Sequence, residues 1–268
     1  ESVEGWIKTS CPKLQKIGEE KRSETVSLGE ALGLTVGGRR YLIYDSFNEG
    51  LTYMRPSLRV YDEGMAVHLK GFETKVLLNI REVEDVDGTY SELYEQIGES
   101  GIANLEQEIL ALRLKPVYKA MESFHSENFF KQIRLILNGE ATSKSERKLI
   151  LTLAEAYAHL AAAVENLHPA AQKSLPSLPK DVSPAQMLSQ VQRYSTLFKR
   201  EENRAFLYGS RILDEMEAVV AASFFLKPFL GDEATSSVAM RASDSLLLSR
   251  FFSKELCDAG FTEGSARK

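Results

Sequence analysis

The sequence predicts an α+β protein in which a small antiparallel, sandwich-like β-module over residues 23–88 is followed by a multi-helix, all-α region over 89–268. Two observations carry this. From Leu32 onward apolar residues recur with a period of two, in short runs that turn signals separate. After Asp87-Gly88 the period lengthens to that of a helix and stays there. A chain of 268 residues is also longer than one average domain of ~150 residues, so two units are the default expectation.

The first 22 residues are expected to form a helical segment. Val3, Trp6, Ile7, Leu14 and Ile17 fall at roughly helical spacing, and Pro12 should shorten or kink the run. Trp6 completes an apolar stripe with Val3 and Ile7, which favours a buried anchor over a sugar-stacking platform. The β-module follows as runs at Arg40–Asp45, Leu51–Arg55, Leu58–Tyr61, Met65–Lys70 and Thr74–Val83. Gly37-Gly38, Asn48-Glu49-Gly50, Pro56-Ser57, Asp62-Glu63-Gly64 and Gly71 punctuate them, and such close turns imply antiparallel pairing, because parallel strands need long crossovers. Val76-Leu77-Leu78 is apolar on both faces and reads as a central or fully covered strand.

Helices are expected at Ser91–Ile97, Ala103–Phe124, Glu127–Leu137, Ser145–Leu167, Pro184–Lys199, Ala205–Leu226 and Ser236–Ala259. Ser183-Pro184 and Ser143-Lys144-Ser145-Glu146 supply N-terminal signals, Gly139, Pro228, Gly231 and Gly260 supply stops, and Pro116 should kink or split its run. Residues 168–184 hold four of the eight prolines and little periodicity, marking a crossover between helices or a sub-boundary.

Composition bounds the chemistry. With 43% hydrophobic and 26% charged residues the chain should fold. A net charge of -5 offers no long-range attraction to nucleic acid or an anionic membrane surface, and no apolar run approaches the ~20 residues of a spanning helix. Lys199, Arg200, Arg204 and Arg211 are interrupted by Glu201 and Glu202, as on a solvated helix face. Cys11 and Cys257 stand at opposite ends, giving no disulfide framework and no metal spacing, which fits a cytoplasmic setting. Glu1 opens the chain without a methionine or a leader, so a piece of a longer protein is expected.

No catalytic constellation emerges. Phosphate-cradling glycine motifs are missing, and Gly37-Gly38-Arg39 lies between strands instead of before a helix. His68, His125, His159 and His168 lack metal-ligand spacing, so neither metal nor cofactor is expected. Tyr208-Gly209-Ser210-Arg211 lies within a helical pattern and is not a nucleophile elbow. Asp214, Glu215 and Glu217 sit on the polar side of an amphipathic segment; Glu82, Glu84 and Asp85, and Glu106 with Glu108, read as solvated acids in the same way.

The β-module nonetheless has a definite cadence. Tyr41-Leu42-Ile43-Tyr44-Asp45, Leu51-Thr52-Tyr53-Met54-Arg55, Gly64-Met65-Ala66-Val67-His68-Leu69 and Phe72-Glu73-Thr74-Lys75-Val76-Leu77-Leu78 follow one another. Gly64, Val67, Leu69, Phe72 and Val76 match a progression in which this chain resembles the C-terminal β-domain of α-amylase-superfamily glycoside hydrolases. The resemblance runs through Arg81-Glu82-Val83 to Glu99-Ser100-Gly101 and the next helix, covering about 40–125, with Lys70-Gly71 where such domains often carry proline. It implies that the catalytic carboxylates lie on a preceding barrel, and it transfers no catalytic residue to this chain. The implied role is to shield and stabilise that barrel. Two alternatives stand beside it: a helical module that binds a protein partner or forms homo-oligomers, and an α-glucan-binding β-module using Tyr41, Tyr44, Tyr53 or Tyr61.

Overall fold

The computed structural model describes residues 2–17, 20–174 and 184–210, together with 220, 223, 224, 244 and 246–249. The chain mixes helices with small antiparallel sheets and divides into two compact units, Glu1–Leu112 and Arg113–Lys268.

In the first unit, strands β1 (Ser2–Ile7), β2 (Lys13–Ile17) and β3 (Glu20–Glu24) lead to a short helix α1 (Leu28–Ala31). Then come β4 (Arg40–Ser46), β5 (Leu51–Pro56), α2 (Ser57–Glu63), β6 (Met65–Lys70), β7 (Leu77–Glu84), α3 (Thr89–Ile97) and α4 (Leu105–Arg113). The helical segment expected over 1–22 is therefore corrected to strands. β1 pairs antiparallel with β6 from Ser2↔Lys70 to Ile7↔Met65, and β2 pairs with β3. The spacing of Val3, Trp6 and Ile7 fits a helix locally, but a ladder to a strand about sixty positions away satisfies the same backbone groups. Gly64 makes that approach feasible. Its φ is +85°, and a Cβ there would fall 2.3 Å from the carbonyl oxygen of Ile7.

The main sheet has the order β5-β4-β7. Its centre is β4, so the expectation that Val76-Leu77-Leu78 lies in a central or fully covered strand is also corrected: β7 starts at Leu77, is an edge, and leaves Leu78 exposed. The continuous apolar run Tyr41-Leu42-Ile43-Tyr44 serves two cores. Tyr41 and Ile43 pack with Met54, Leu93, Leu105, Ile109 and Leu112, whereas Leu42 and Tyr44 pack with Leu34, Val60 and Met65. Helices α3 and α4 thus cover one face of the sheet, and the module expected to close at 88 continues to 112. Leu58–Tyr61, expected as a strand, lies in α2, where Val60 reaches the core and Arg59 pairs with Glu63 one turn on. Asp85 is buried, accepting the backbone N–H of Tyr90 and Ser91 (both 3.1 Å) and the Ser91 hydroxyl; it caps α3 and is not a solvated acid.

The second unit is helical among its described residues: α5 (Lys115–Met121), a 3₁₀ turn at Glu122–His125, α6 (Glu127–Leu137), α7 (Ser143–Glu165), α8 (Pro169–Ser174), α9 (Pro184–Lys199) and α10 (Glu201–Ser210). The run around Pro116 is split, with proline in the first turn of α5, where a missing N–H costs no helical bond. Thr142 and Ser145 exchange side-chain and backbone bonds to start α7, and Ser126 caps α6. An aromatic cluster fills the interior: Phe124 lies 5.9 Å from Phe129 and 5.5 Å from Tyr157, and Phe129 lies 6.2 Å from Phe224. The Tyr157 hydroxyl donates to the Phe224 carbonyl at 2.5 Å. Residues 175–183, and most of the helices expected at Ala205–Leu226 and Ser236–Ala259, lie outside the described residues.

Candidate functional site

The four tyrosines named as sugar platforms do not assemble into one. Tyr41 and Tyr44 are buried and belong to the two cores on opposite faces of β4. Tyr61 is half-buried against the second core. Tyr53 stacks on Tyr44 with ring centroids 5.6 Å apart, and Arg55 and Lys75 each stand 5.6 Å from its centroid. Its hydroxyl donates to Glu49 at 2.7 Å, and Lys75 reaches the other Glu49 oxygen at 3.2 Å. Burial and the neighbouring Glu49 push the Tyr53 phenol up to about 12, while the bond from Tyr53 holds the Glu49 carboxyl below its ordinary value. This cluster pins β5 to the turn before it.

A different aromatic residue reaches solvent. Trp6 is 48% exposed on β1 and borders a recess with Arg55, Arg59, Val60, Gly64, Met65, Ala66 and Glu99. Arg59 donates through Nη1 to Glu99 at 2.6 Å and through Nε to Glu63 at 3.1 Å; Arg55 donates through Nη2 to the Glu99 carbonyl at 3.0 Å. Both carboxylates keep the Arg59 guanidinium firmly protonated, its pKa raised first by Glu63 and then by Glu99. The recess itself holds ≈ 20 Å³, room for about one water, against ~300–1,000 Å³ for an ordinary small-molecule cavity. Any ligand here must lie across the surface.

The β1–β6 ribbon has two unlike faces. Register puts Val3, Gly5 and Ile7 opposite Leu69, Val67 and Met65, and puts Ser2, Glu4 and Trp6 opposite Lys70, His68 and Ala66. On the first face Met65 enters the core while Val3 and Ile7 remain exposed. The Trp6 face carries a bond from His68 Nδ1 to Glu4 at 3.1 Å. Further apolar exposure lies at Leu78 and Ile80 on β7 and at Phe72, which is wholly exposed. Phe72 has φ +63° at the third position of a turn closed by Glu73 N–H to the Lys70 carbonyl at 3.0 Å. The sequence showed Phe72 only as a cadence position; its exposure depends on a turn geometry that no residue pattern announces.

Elsewhere little converges. Among the described residues no group of three His, Cys, Asp or Glu side chains is placed to hold a metal ion, and no helix is long and apolar enough to cross a membrane. Asp214, Glu215, Glu217 and Cys257 lie outside the described residues. Along α9 a shallow groove runs between Leu188 and Leu197, flanked by Arg193 and Arg200, without a convergent set of polar groups.

Fold and surface together define a two-unit α and β protein whose first unit presents an apolar ribbon face and, on the opposite face, a half-exposed tryptophan beside paired charges. No protein-family model, curated protein or solved structure matches the chain.

Proposed function

We propose that this chain is the non-catalytic C-terminal portion of an α-glucan-acting glycoside hydrolase or transferase, in which the first unit packs against and stabilises a preceding catalytic barrel. The observation that carries the reading is the exposure of Val3, Ile7, Phe72, Leu78 and Ile80 on a unit whose central strand, β4, is already covered on both faces by its own residues. Apolar side chains left out of two complete cores are what a docking module offers a larger neighbour. In this reading the ribbon and the three-stranded sheet are layers of a sandwich-like β-domain. Gly64, whose conformation only glycine takes easily, and Phe72 are both positions of the cadence that resembles the α-amylase superfamily.

The reading predicts that the purified chain releases no sugar from soluble starch, and that the coding sequence ahead of residue 1 alternates strand and helix patterns with carboxylates at strand ends. Turnover by the isolated chain, or an upstream sequence without that alternation, would remove it.

A further inference from the structure

The geometry points to Trp6, Arg59 and Glu99 as a surface subsite for an uncharged oligosaccharide, distinct from the tyrosines and on the face of the ribbon opposite Val3 and Ile7. Three features argue for a sugar. First, an indole at the surface costs free energy to leave wet, and its flat apolar face matches the C–H face of a pyranose ring. Second, the polar groups at its side are planar and forked. Glu99 and Arg59 can each meet two neighbouring hydroxyls at once, and the two carboxylate contacts of Arg59 leave further N–H donors on a guanidinium that has five. Third, the charges balance: Arg55 and Arg59 stand with Glu63 and Glu99. An anionic ligand would gain little from such a set, whereas hydroxyls can both donate to carboxylate and accept from guanidinium.

The support is stiff. Trp6 lies in a ladder opposite Ala66, whose small side chain leaves space over the strand, and Arg59 and Glu99 are tied to each other across forty residues of sequence. The saccharide would lie over Trp6 with its hydroxyl edge toward Arg59 and Glu99, because the recess beneath is too small to admit a ring. The choice of an α-linked glucan as the occupant rests on the function proposed above; the saccharide site itself does not.

Trp6 is the only tryptophan in the chain, so its emission reports the site directly. Maltoheptaose titrated into the full chain is expected to change Trp6 emission saturably and to protect it from iodide quenching. Arg59→Ala and Glu99→Gln should each weaken that response about tenfold, as for loss of one charge-assisted hydrogen bond. Trp6→Ala, read by calorimetry, should abolish the binding heat while leaving circular dichroism unchanged. Saturable binding of cellohexaose without binding of maltoheptaose would keep the subsite and overturn the α-glucan assignment. Emission and quenching unmoved by both glycans in the wild-type chain would overturn the subsite.

Discussion

Single residues here carry two kinds of information, and only one can be read locally. Phe72 occupies the left-handed place of its turn although Gly71 stands one position earlier. A non-glycine residue there costs ~1–2 kcal/mol, and a wholly exposed ring recovers none of it within this unit. Phe72→Gly should therefore raise stability in urea by up to about 1 kcal/mol, after allowing for the extra freedom glycine gives the unfolded chain. Equal or lower stability would show that the strain is relieved in solution. Residue identity came within one position of the α7 cap: the capping-box signal read over Ser143–Glu146 lies one residue past the Thr142 and Ser145 pair that forms it. It misjudged Asp85, because three acids among the four positions 82–85 near a strand end look solvated until α3 turns its N–H groups toward one of them.

At the scale of elements, the sequence was legible wherever burial is local and illegible wherever a distant partner decides. The runs at 40–45, 51–55 and 65–70 are strands, as short runs of β-forming residues bounded by turn signals predict. The first segment misled, since Val3, Trp6 and Ile7 suit either period and only pairing with β6 chooses between them. The centre of the sheet was misplaced for a related reason: both Tyr41–Tyr44 and Val76–Leu78 are apolar on two faces, but only β4 receives cover from both sides. Of the candidate site, the tyrosines were named and prove to be packing groups, whereas Arg59 and Glu99 lie forty positions apart and share a surface only after folding. Leu42 is 0% exposed and sits at the join of β4, α2 and β6. Leu42→Ala should cost ~2–5 kcal/mol by urea denaturation followed through Trp6 emission, and a loss well under that range would mean the second core can collapse around the gap.

For the whole molecule, both units contain phenols whose ionisation opposes folding: burial raises Tyr44 and Tyr53 in the first and Tyr157 in the second. Tyr53 is pushed up to about 12 by burial and Glu49, and burial alone drives Tyr157 higher. Both folded values exceed the ordinary 10.0, so the stability they contribute is complete below pH 10 and is lost as pH rises through the folded values. Alkaline titration should show phenolate absorbance from these two tyrosines only above the ordinary range, with loss of ellipticity accompanying it; Tyr53→Phe should shift the onset upward for the first unit. Ordinary titration of every tyrosine in the folded protein would contradict the packing described for both. One last consequence belongs to the β7 edge. Ile43 faces Arg81 and Asp45 faces Leu78, so Asn79 and Ile80 together oppose a single residue, and Asn79, at φ +51°, donates its side-chain amide to Asp45 at 2.7 Å. A straight edge bearing Leu78 and Ile80 would be a template on which unfolded copies could stack into fibres. The extra residue breaks the repeat of backbone donors and acceptors midway, so the apolar side chains stay at the surface while the strand itself makes a poor seed.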